Sequence, residues 1–189
     1  QYVSFEMIFV FLGLIMVLGV VSGILVDTSD LPGRNIDAKL TFKLNDLFEF
    51  KAMPISLIGL TISFTYTTVL SFMSLYAEEK GLLEAATYFY IVFAIAMMVV
   101  RPIAGKLFDT HGPKFIVIPA LVLYAIGLVV MSLITSPFGL MLSAVVIGIG
   151  FGTVSSGLQT QAVQSTSPTR SSYVTATYFT MFDTGVAIG

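Results

Sequence analysis

Four long stretches of the sequence contain no Asp, Glu, Lys, Arg or His, and this feature restricts the fold more than any other. The stretches run over 7–26, 52–77, 85–100 and 115–169. A helix needs about 20 apolar residues to cross the hydrocarbon core of a bilayer, and all but the third stretch reach that length. The pattern predicts membrane-spanning helices, because helices that are apolar on all sides have no charged face to turn toward water.

The overall composition supports the same conclusion. Hydrophobic residues make up 56% of the 189 residues and charged residues only 11%, whereas a soluble domain carries roughly 25% charged residues. So few charges cannot cover a surface that faces water, which excludes a soluble enzyme domain and a disordered chain. The lack of Cys excludes a disulfide scaffold, and a formal net charge of -2 offers no basic surface to nucleic acid.

The last uncharged stretch is too long for a single crossing, and its middle, 135–139, reads Thr-Ser-Pro-Phe-Gly. Pro cannot continue a helix and Gly tolerates a bend, so we predict two helices joined as a hairpin there. A further apolar segment begins near Ser171 and is still running at Gly189. The predicted fold class is an all-α membrane protein, a polytopic helical bundle with about six spans near 1–26, 53–77, 82–103, 115–135, 138–162 and 171–189.

The two ends of the sequence predict that it belongs to a longer chain. The sequence opens on Gln1, and its first span lacks the basic region and small-residue cleavage site of a secretory signal. The last span is cut off within the membrane. We therefore expect an internal piece of a longer membrane protein.

The positions of the cations predict the orientation of the chain, because Lys and Arg accumulate in short cytoplasmic loops. If the crossings alternate, Lys80 lies on one side and the other eight cations lie on the opposite side. Those eight are Arg34, Lys39, Lys43, Lys51, Arg101, Lys106, Lys114 and Arg170. The loops at 27–52, 101–114 and 163–171 are therefore predicted to be cytoplasmic.

The first of these loops has a pattern of its own. Apolar and polar residues alternate over 36–45, which indicates extended structure. Asn45 is a suitable N-cap for a short interfacial helix, and Pro54 suits the first turn of the following span. We predict a linker over 27–52 between two groups of helices.

The stretch 101–114, Arg-Pro-Ile-Ala-Gly-Lys-Leu-Phe-Asp-Thr-His-Gly-Pro-Lys, carries the most informative motif. It resembles the cytoplasmic loop signature of the major facilitator superfamily, Gly-x-Leu-x-Asp-Arg-x-Gly-Arg-Lys/Arg. The matching residues are Gly105, Leu107, Asp109, Gly112 and Lys114. Thr110 and Pro113 stand where Arg is common, so the resemblance does not extend to a charge relay through those two arginines.

Three later patterns are similar to helices ten and eleven of that family, particularly in its drug-exporter branches. They are Gly148-x-Gly150-x-Gly152, then Pro168-Thr169-Arg170, then Asp183-Thr184-Gly185-x-x-x-Gly189. The resemblance implies helices six to eleven of a twelve-helix fold. On that alignment 1–26 is the last helix of the N-terminal half, 27–52 is the cytoplasmic central loop and 53–189 belongs to the C-terminal half.

The resemblance also implies a role for the signature. Asp109 can accept hydrogen bonds from a helix N-terminus, where the helix dipole favours an anion, and Gly105 and Gly112 permit close approach and tight turning. By family resemblance the stretch is a conformational latch of the outward-open state, formed by Arg101, Gly105, Asp109, Gly112 and Lys114. The alternative is a solvated basic turn that follows the positive-inside bias alone.

Asp183 is the most unusual polar residue, because it lies about 18 Å into its helix at 1.5 Å per residue. A carboxylate at that depth needs a wet cavity, a partner or a proton. It is either a proton-coupling group or a carboxyl that fixes helix packing, and we expect no Lys or Arg at its depth. Tyr66 and Thr65, in a Thr-rich helix face, and Gln159 complete the candidate proton and substrate site.

Function follows by exclusion and by resemblance. The sequence has no HExxH, no Cys, no metal-spaced carboxylates and no P-loop, so we expect neither an enzyme nor an ATP-driven pump, and no cofactor. The resemblance implies a secondary transporter that exports a small amphipathic compound in exchange for protons by alternating access. An uptake permease for a sugar or other metabolite is one alternative, and a non-transporting membrane scaffold is another. We expect a monomeric multi-pass protein of a bacterial cell membrane, with the lipid bilayer, protons and a small-molecule substrate as its partners.

Overall fold

Helices account for nearly all of the computed structural model, which describes residues 5–25 and 48–189. No strand occurs in these two ranges, so the predicted all-α class is confirmed. The extended stretch predicted at 36–45 and the helix start predicted at Asn45 lie outside the described residues.

Six α-helices and two short 3₁₀ turns form the described chain. The helices are α1 (Phe5–Leu25), α2 (Met53–Glu79), α3 (Leu83–His111), α4 (Pro113–Ser132), α5 (Pro137–Gln164) and α6 (Ser171–Ile188). The 3₁₀ turns, Phe50–Ala52 and Pro168–Arg170, precede α2 and α6. The helices α1 to α5 are long and apolar enough to cross a membrane. Ser, Thr and Tyr lower the hydropathy of α6, which is 18 residues long.

The chain divides into two units, 1–40 and 41–189. In the first unit, α1 has a mean hydropathy of 2.8 over its most apolar window, and none of that window is buried. Its described side chains are exposed on every side, which is the character of a helix that contacts lipid or other helices.

In the second unit α5 lies at the centre and packs most extensively on α3 and α4. Small residues make this contact close. A Cβ at Gly148 would lie 2.8 Å from the carbonyl oxygen of Phe93, and one at Gly150 would lie 2.7 Å from the backbone nitrogen of Tyr124. Glycine at such positions lets helix backbones approach, as its spacing along α5 predicts.

The other close pair in this unit is α2 with α6. A Cβ at Gly185 would overlap the carbonyl oxygen of Leu60, so no side chain fits there. The buried hydroxyl of Ser63 donates a hydrogen bond of 2.7 Å to the carbonyl oxygen of Phe182. These contacts hold α2 and α6 together through the part of α6 that carries Asp183.

The helix ends agree with the turn chemistry of the sequence. Pro54 lies in the first turn of α2, and the predicted hairpin forms where Ser136 caps α5 by accepting a hydrogen bond of 3.2 Å from the Gly139 N–H. Gly112, with a φ of 83°, turns the chain from α3 into α4. Only glycine adopts this conformation freely.

The structure corrects the predicted boundary of the span at 82–103 and the loop at 101–114. Helix α3 continues through Pro102 to His111, so the signature is helical up to Gly112. The charged residues end the apolar run but not the helix, because backbone hydrogen bonds do not depend on side-chain polarity, and membrane helices tolerate an internal Pro. A Cβ at Gly105 would meet nothing within 4 Å, so no described helix uses the close approach that this glycine permits.

Candidate functional site

A cavity of about 360 Å³ lies between α2, α3, α5 and α6, and we call it the aromatic cleft. Half of its lining residues are aromatic, and the others include one cation and a few hydroxyl and amide groups. The lining residues are Tyr66, Met97, Arg101, Phe151, Ser155, Ser156, Gln159, Tyr178, Phe179 and Phe182. A few polar groups set in a largely apolar wall are typical of a site for a small molecule.

Stacked rings form the deep end of the aromatic cleft. Tyr66 of α2 stacks on Phe151 of α5 with ring centroids 4.1 Å apart and planes inclined by 10°. Phe93 of α3 adds a second stacked contact with Tyr66 at 5.9 Å. Each ring lies near the middle of its helix, so the stack is held by three packed elements and is rigid.

Helix α6 supplies the opposite wall. The Tyr178 ring lies 6.1 Å from that of Phe182 and 5.7 Å from that of Phe179, centroid to centroid. The Tyr178 hydroxyl donates a hydrogen bond of 3.3 Å to the carbonyl oxygen of Ser155 on α5. This bond joins α6 to α5 across the cleft and leaves the aromatic faces as its lining.

Arg101 lines the same cleft, a position that the sequence alone did not reveal. It lies about 15 Å from the His111 end of α3 at 1.5 Å per residue, while Asp183 lies about 18 Å from the Ser171 end of α6. Arg101 is therefore helical, ten residues before the end of α3, and it lines the same cleft as Phe182, the residue before Asp183.

A second cavity, of about 120 Å³, lies next to the aromatic cleft on the signature side, and we call it the signature cavity. Residues of α3, α4 and α5 line it, namely Arg101, Ala104, Gly105, Phe108, Asp109, Ile116, Thr153, Ser156, Gly157 and Thr160. Arg101 and Ser156 border both cavities. Three of the five latch residues, Arg101, Gly105 and Asp109, therefore meet around one space, while Gly112 forms the turn and Lys114 is exposed at the start of α4.

The four predicted residues of the proton and substrate site separate into two groups. Tyr66 and Gln159 line the aromatic cleft. Thr65 instead shares a hydrogen bond of 3.0 Å with the hydroxyl of buried Tyr124, which is a contact between α2 and α4. Asp183 is exposed, one turn beyond Phe179 on α6, and lies outside the lining of the cleft.

Sequence reasoning missed most of the cleft wall. Phe151, Tyr178 and Phe182 are aromatic residues in apolar helices, where a lipid-facing position is the simpler interpretation. Only the helical spacing of Tyr178 and Phe182, four residues apart, indicated that they share a face.

An ion pair lies beyond the helix ends, at the start of the second unit. Arg170 Nε donates to Glu49 Oε2 at 2.5 Å, and the Glu49 backbone N–H donates to Thr177 Oγ1 at 2.8 Å. Glu49 is 8% exposed, and the hydrogen bond from Arg170 holds the pKa of its carboxyl below the ordinary value. We call this group, Glu49, Arg170 and Thr177, the interfacial clamp.

Among residues 5–25 and 48–189, no three His, Cys, Asp or Glu side chains cluster closely enough to hold a metal ion.

Comparison with known proteins gives one match. The family model described as Major Facilitator Superfamily matches residues 1–189, the whole of this sequence. No curated protein and no solved structure gives a significant match.

Proposed function

This chain belongs to the major facilitator superfamily, and from that premise we propose that it takes part in proton-coupled export of small amphipathic compounds. Family membership by itself gives the coarser conclusion, a multi-pass membrane protein that acts as a secondary transporter. The direction of transport, the coupling ion and the kind of substrate are the proposed part.

The observation that carries the proposal is the aromatic cleft. It offers a stack of rings at its deep end and polar groups from Arg101, Ser155 and Gln159 nearer the α3–α4 turn. An amphipathic compound matches this division, because its apolar part is dehydrated against the rings while its polar part keeps hydrogen-bonding partners. A scaffold protein would gain nothing from a cavity that sets a cation beside aromatic rings.

The two helix groups around the cleft suit alternating access. Helices α2 and α6 form one close pair, and α3, α4 and α5 form another group. The cleft lies between them, so a small rotation of one group against the other would change its width. The signature cavity lies within the second group, where Asp109 can act as the latch that the family resemblance implies.

Asp183 is the proposed proton carrier. It is exposed and directly follows Phe182, which lines the cleft, so protonation would change the charge beside the cleft. The cationic loops are proposed to face the cytoplasm of a bacterial cell, which places the signature side of the cleft inward.

The complete protein in proteoliposomes tests this function. Imposing a proton gradient should drive movement of a fluorescent amphiphile, and Asp183→Asn should remove the dependence on the gradient while exchange of the amphiphile persists. Glu84→Gln is the matched control, because it makes the same chemical change at an exposed carboxylate in the first turn of α3.

The possible outcomes separate the alternatives. Gradient-driven flux that runs only inward would indicate an uptake permease, and flux that ignores the gradient would indicate a uniporter. No flux above that of empty liposomes, from protein that inserts normally, would leave the scaffold as the better explanation.

A further inference from the structure

We infer that the aromatic cleft selects amphipathic compounds that carry a negative charge, with the Arg101 guanidinium as the group that binds the anion. This inference rests on the proposed function and adds the charge of the substrate to it. It follows from the hydrogen bonds around Arg101, from the shape of the cleft and from the exposure of the guanidinium to it.

Arg101 has no ion-pair partner in the described ranges, where the one ion pair belongs to Arg170 with Glu49. Its one hydrogen bond in these ranges runs from Nη2 to the Met97 sulfur at 3.9 Å, and thioether sulfur is a weak acceptor. The exposed guanidinium lines the cleft, so its donors are open to a ligand there.

The groups around Arg101 complete a site for an anion. The hydroxyls of Ser155 and Ser156 already donate to the Gly152 carbonyl oxygen, at 3.4 and 2.9 Å, so their protons are in use. The Gln159 amide makes no hydrogen bond to any residue in 5–25 or 48–189, and its NH₂ is a free donor beside the cleft. Arginine presents donors in a planar fork that matches a carboxylate or sulfonate, and the Gln159 amide can serve a further oxygen.

The rings set the size of the apolar part. Tyr66 and Phe151 already stack face to face, so they offer an edge and a side wall to a ligand, and Phe179 and Phe182 face them from α6. A volume of about 360 Å³ accommodates one or two fused rings with their charged group. A cationic amphiphile of the same size would bring its charge toward the guanidinium and be repelled.

The experiment compares two permanently charged probes with the same ring, naphthalene-1-sulfonate and 1-naphthyltrimethylammonium. Permanent charges keep passive leakage low. Binding is measured by calorimetry on the purified complete protein, and flux is measured in proteoliposomes. The variants are Arg101→Met, which keeps the length of the side chain, and Arg101→Lys, which keeps the charge without the fork. Lys106→Met is the control, because Lys106 is an exposed cation on the same helix and borders neither cavity.

We expect the wild type and Lys106→Met to bind and carry the sulfonate in preference to the ammonium probe. Arg101→Met should weaken sulfonate binding at least about tenfold, as loss of a charge-assisted hydrogen bond does, with ammonium binding unchanged or stronger. Arg101→Lys should recover part of the sulfonate binding. Equal melting temperatures in detergent establish that the variants fold.

Three other results would overturn the inference in different ways. Gradient-driven flux of the ammonium probe without sulfonate binding leaves the proposed transport intact and refutes the anion site. Loss of both probes' flux in Arg101→Met, with sulfonate binding retained, assigns Arg101 to the conformational cycle. If the wild type binds and carries neither probe, the proposed function fails together with this inference.

Discussion

The two arginines of the second unit, Arg101 and Arg170, have opposite surroundings. Arg170 forms an ion pair with Glu49 in the interfacial clamp, at 2.5 Å, and its guanidinium lies 5.0 Å from the centroid of the Tyr173 ring. Arg101, about 15 Å from the His111 end of α3, has a sulfur atom as its one hydrogen-bond acceptor in the described ranges. The guanidinium of Arg170 is therefore paired, whereas that of Arg101 is exposed in the cleft with no carboxylate partner in those ranges.

This difference separates a structural cation from a binding one. A paired arginine stabilises the fold through its partner, and removing it leaves a buried carboxylate behind. An arginine without a carboxylate partner contributes little to folding, and its guanidinium is available to bind an anionic ligand. Mutation of Arg170 should therefore change stability more than transport, and mutation of Arg101 should change transport more than stability.

The largest expected effect comes from disrupting the packing of α2 against α6. Gly185→Val would push a side chain into the Leu60 carbonyl, which even a Cβ would overlap, so α2 and α6 must separate. We expect a loss of about 3 kcal/mol or more, as for severe overpacking, measured as the free energy of unfolding in detergent. Gly105→Ala is the matched control, since a Cβ there meets nothing within 4 Å and Ala favours a helix by about 1 kcal/mol. Equal stability of the two variants would contradict this packing.

The next effect concerns the signature cavity, which Arg101 shares with Asp109. Asp109→Asn keeps the shape of the side chain and removes its charge, so insertion and melting temperature should stay normal while flux falls about tenfold or more, the size of a lost charge-assisted hydrogen bond. Quantified membrane insertion and proteoliposome flux are the two readouts. Normal flux in this variant would rule out the latch.

A direct test of the comparison replaces each of the two arginines by Met. Arg170→Met should lower the melting temperature of the complete protein by a few degrees, because Glu49 loses its partner. Arg101→Met should leave the melting temperature unchanged or raise it, because no carboxylate in the described ranges depends on it. A larger fall for Arg101→Met would show that this arginine is structural.

The smallest expected effect is a pH dependence of the interfacial clamp. Because Arg170 lowers the pKa of Glu49 in the folded protein below its ordinary value of 4.5, the contribution of this pair is fully present above that value. It is lost as the pH falls through the lowered pKa. Melting temperatures measured from pH 7 down to pH 3 should fall more for the wild type than for Glu49→Gln. Parallel curves would mean that the pair does not affect folding.

The helix hairpin, the glycine turn and the all-α class could be predicted, because each depends on residues that are close in sequence. The hairpin at Ser136 requires only a cap, a Pro and a Gly within one turn. The same local reasoning misplaced the end of α3, since polarity along the chain shows where apolar surface stops and not where backbone hydrogen bonding stops.

The candidate site was predicted in part. Tyr66 and Gln159 line the cleft because a polar residue in an apolar helix must face a cavity or a neighbouring helix. The same rule applied to Thr65, which instead contacts Tyr124 of α4. The rule does not distinguish a residue that faces a cavity from one that faces a neighbouring helix. Phe151 and Phe182 carry no such signal, because a lipid-facing and a cleft-facing Phe look alike in sequence.

By itself the sequence determined that this chain is a set of membrane-spanning helices with a family signature, because hydropathy and turn chemistry are properties of contiguous residues. Only the tertiary structure decided that Arg101 of α3 meets aromatic residues of α2, α5 and α6 in one cleft, while Asp183 stands outside it. The physical reason is that the rotation of each helix about its axis depends on packing between helices. Glycine contacts such as that of Gly185 with Leu60 set that rotation, and they join residues more than a hundred positions apart.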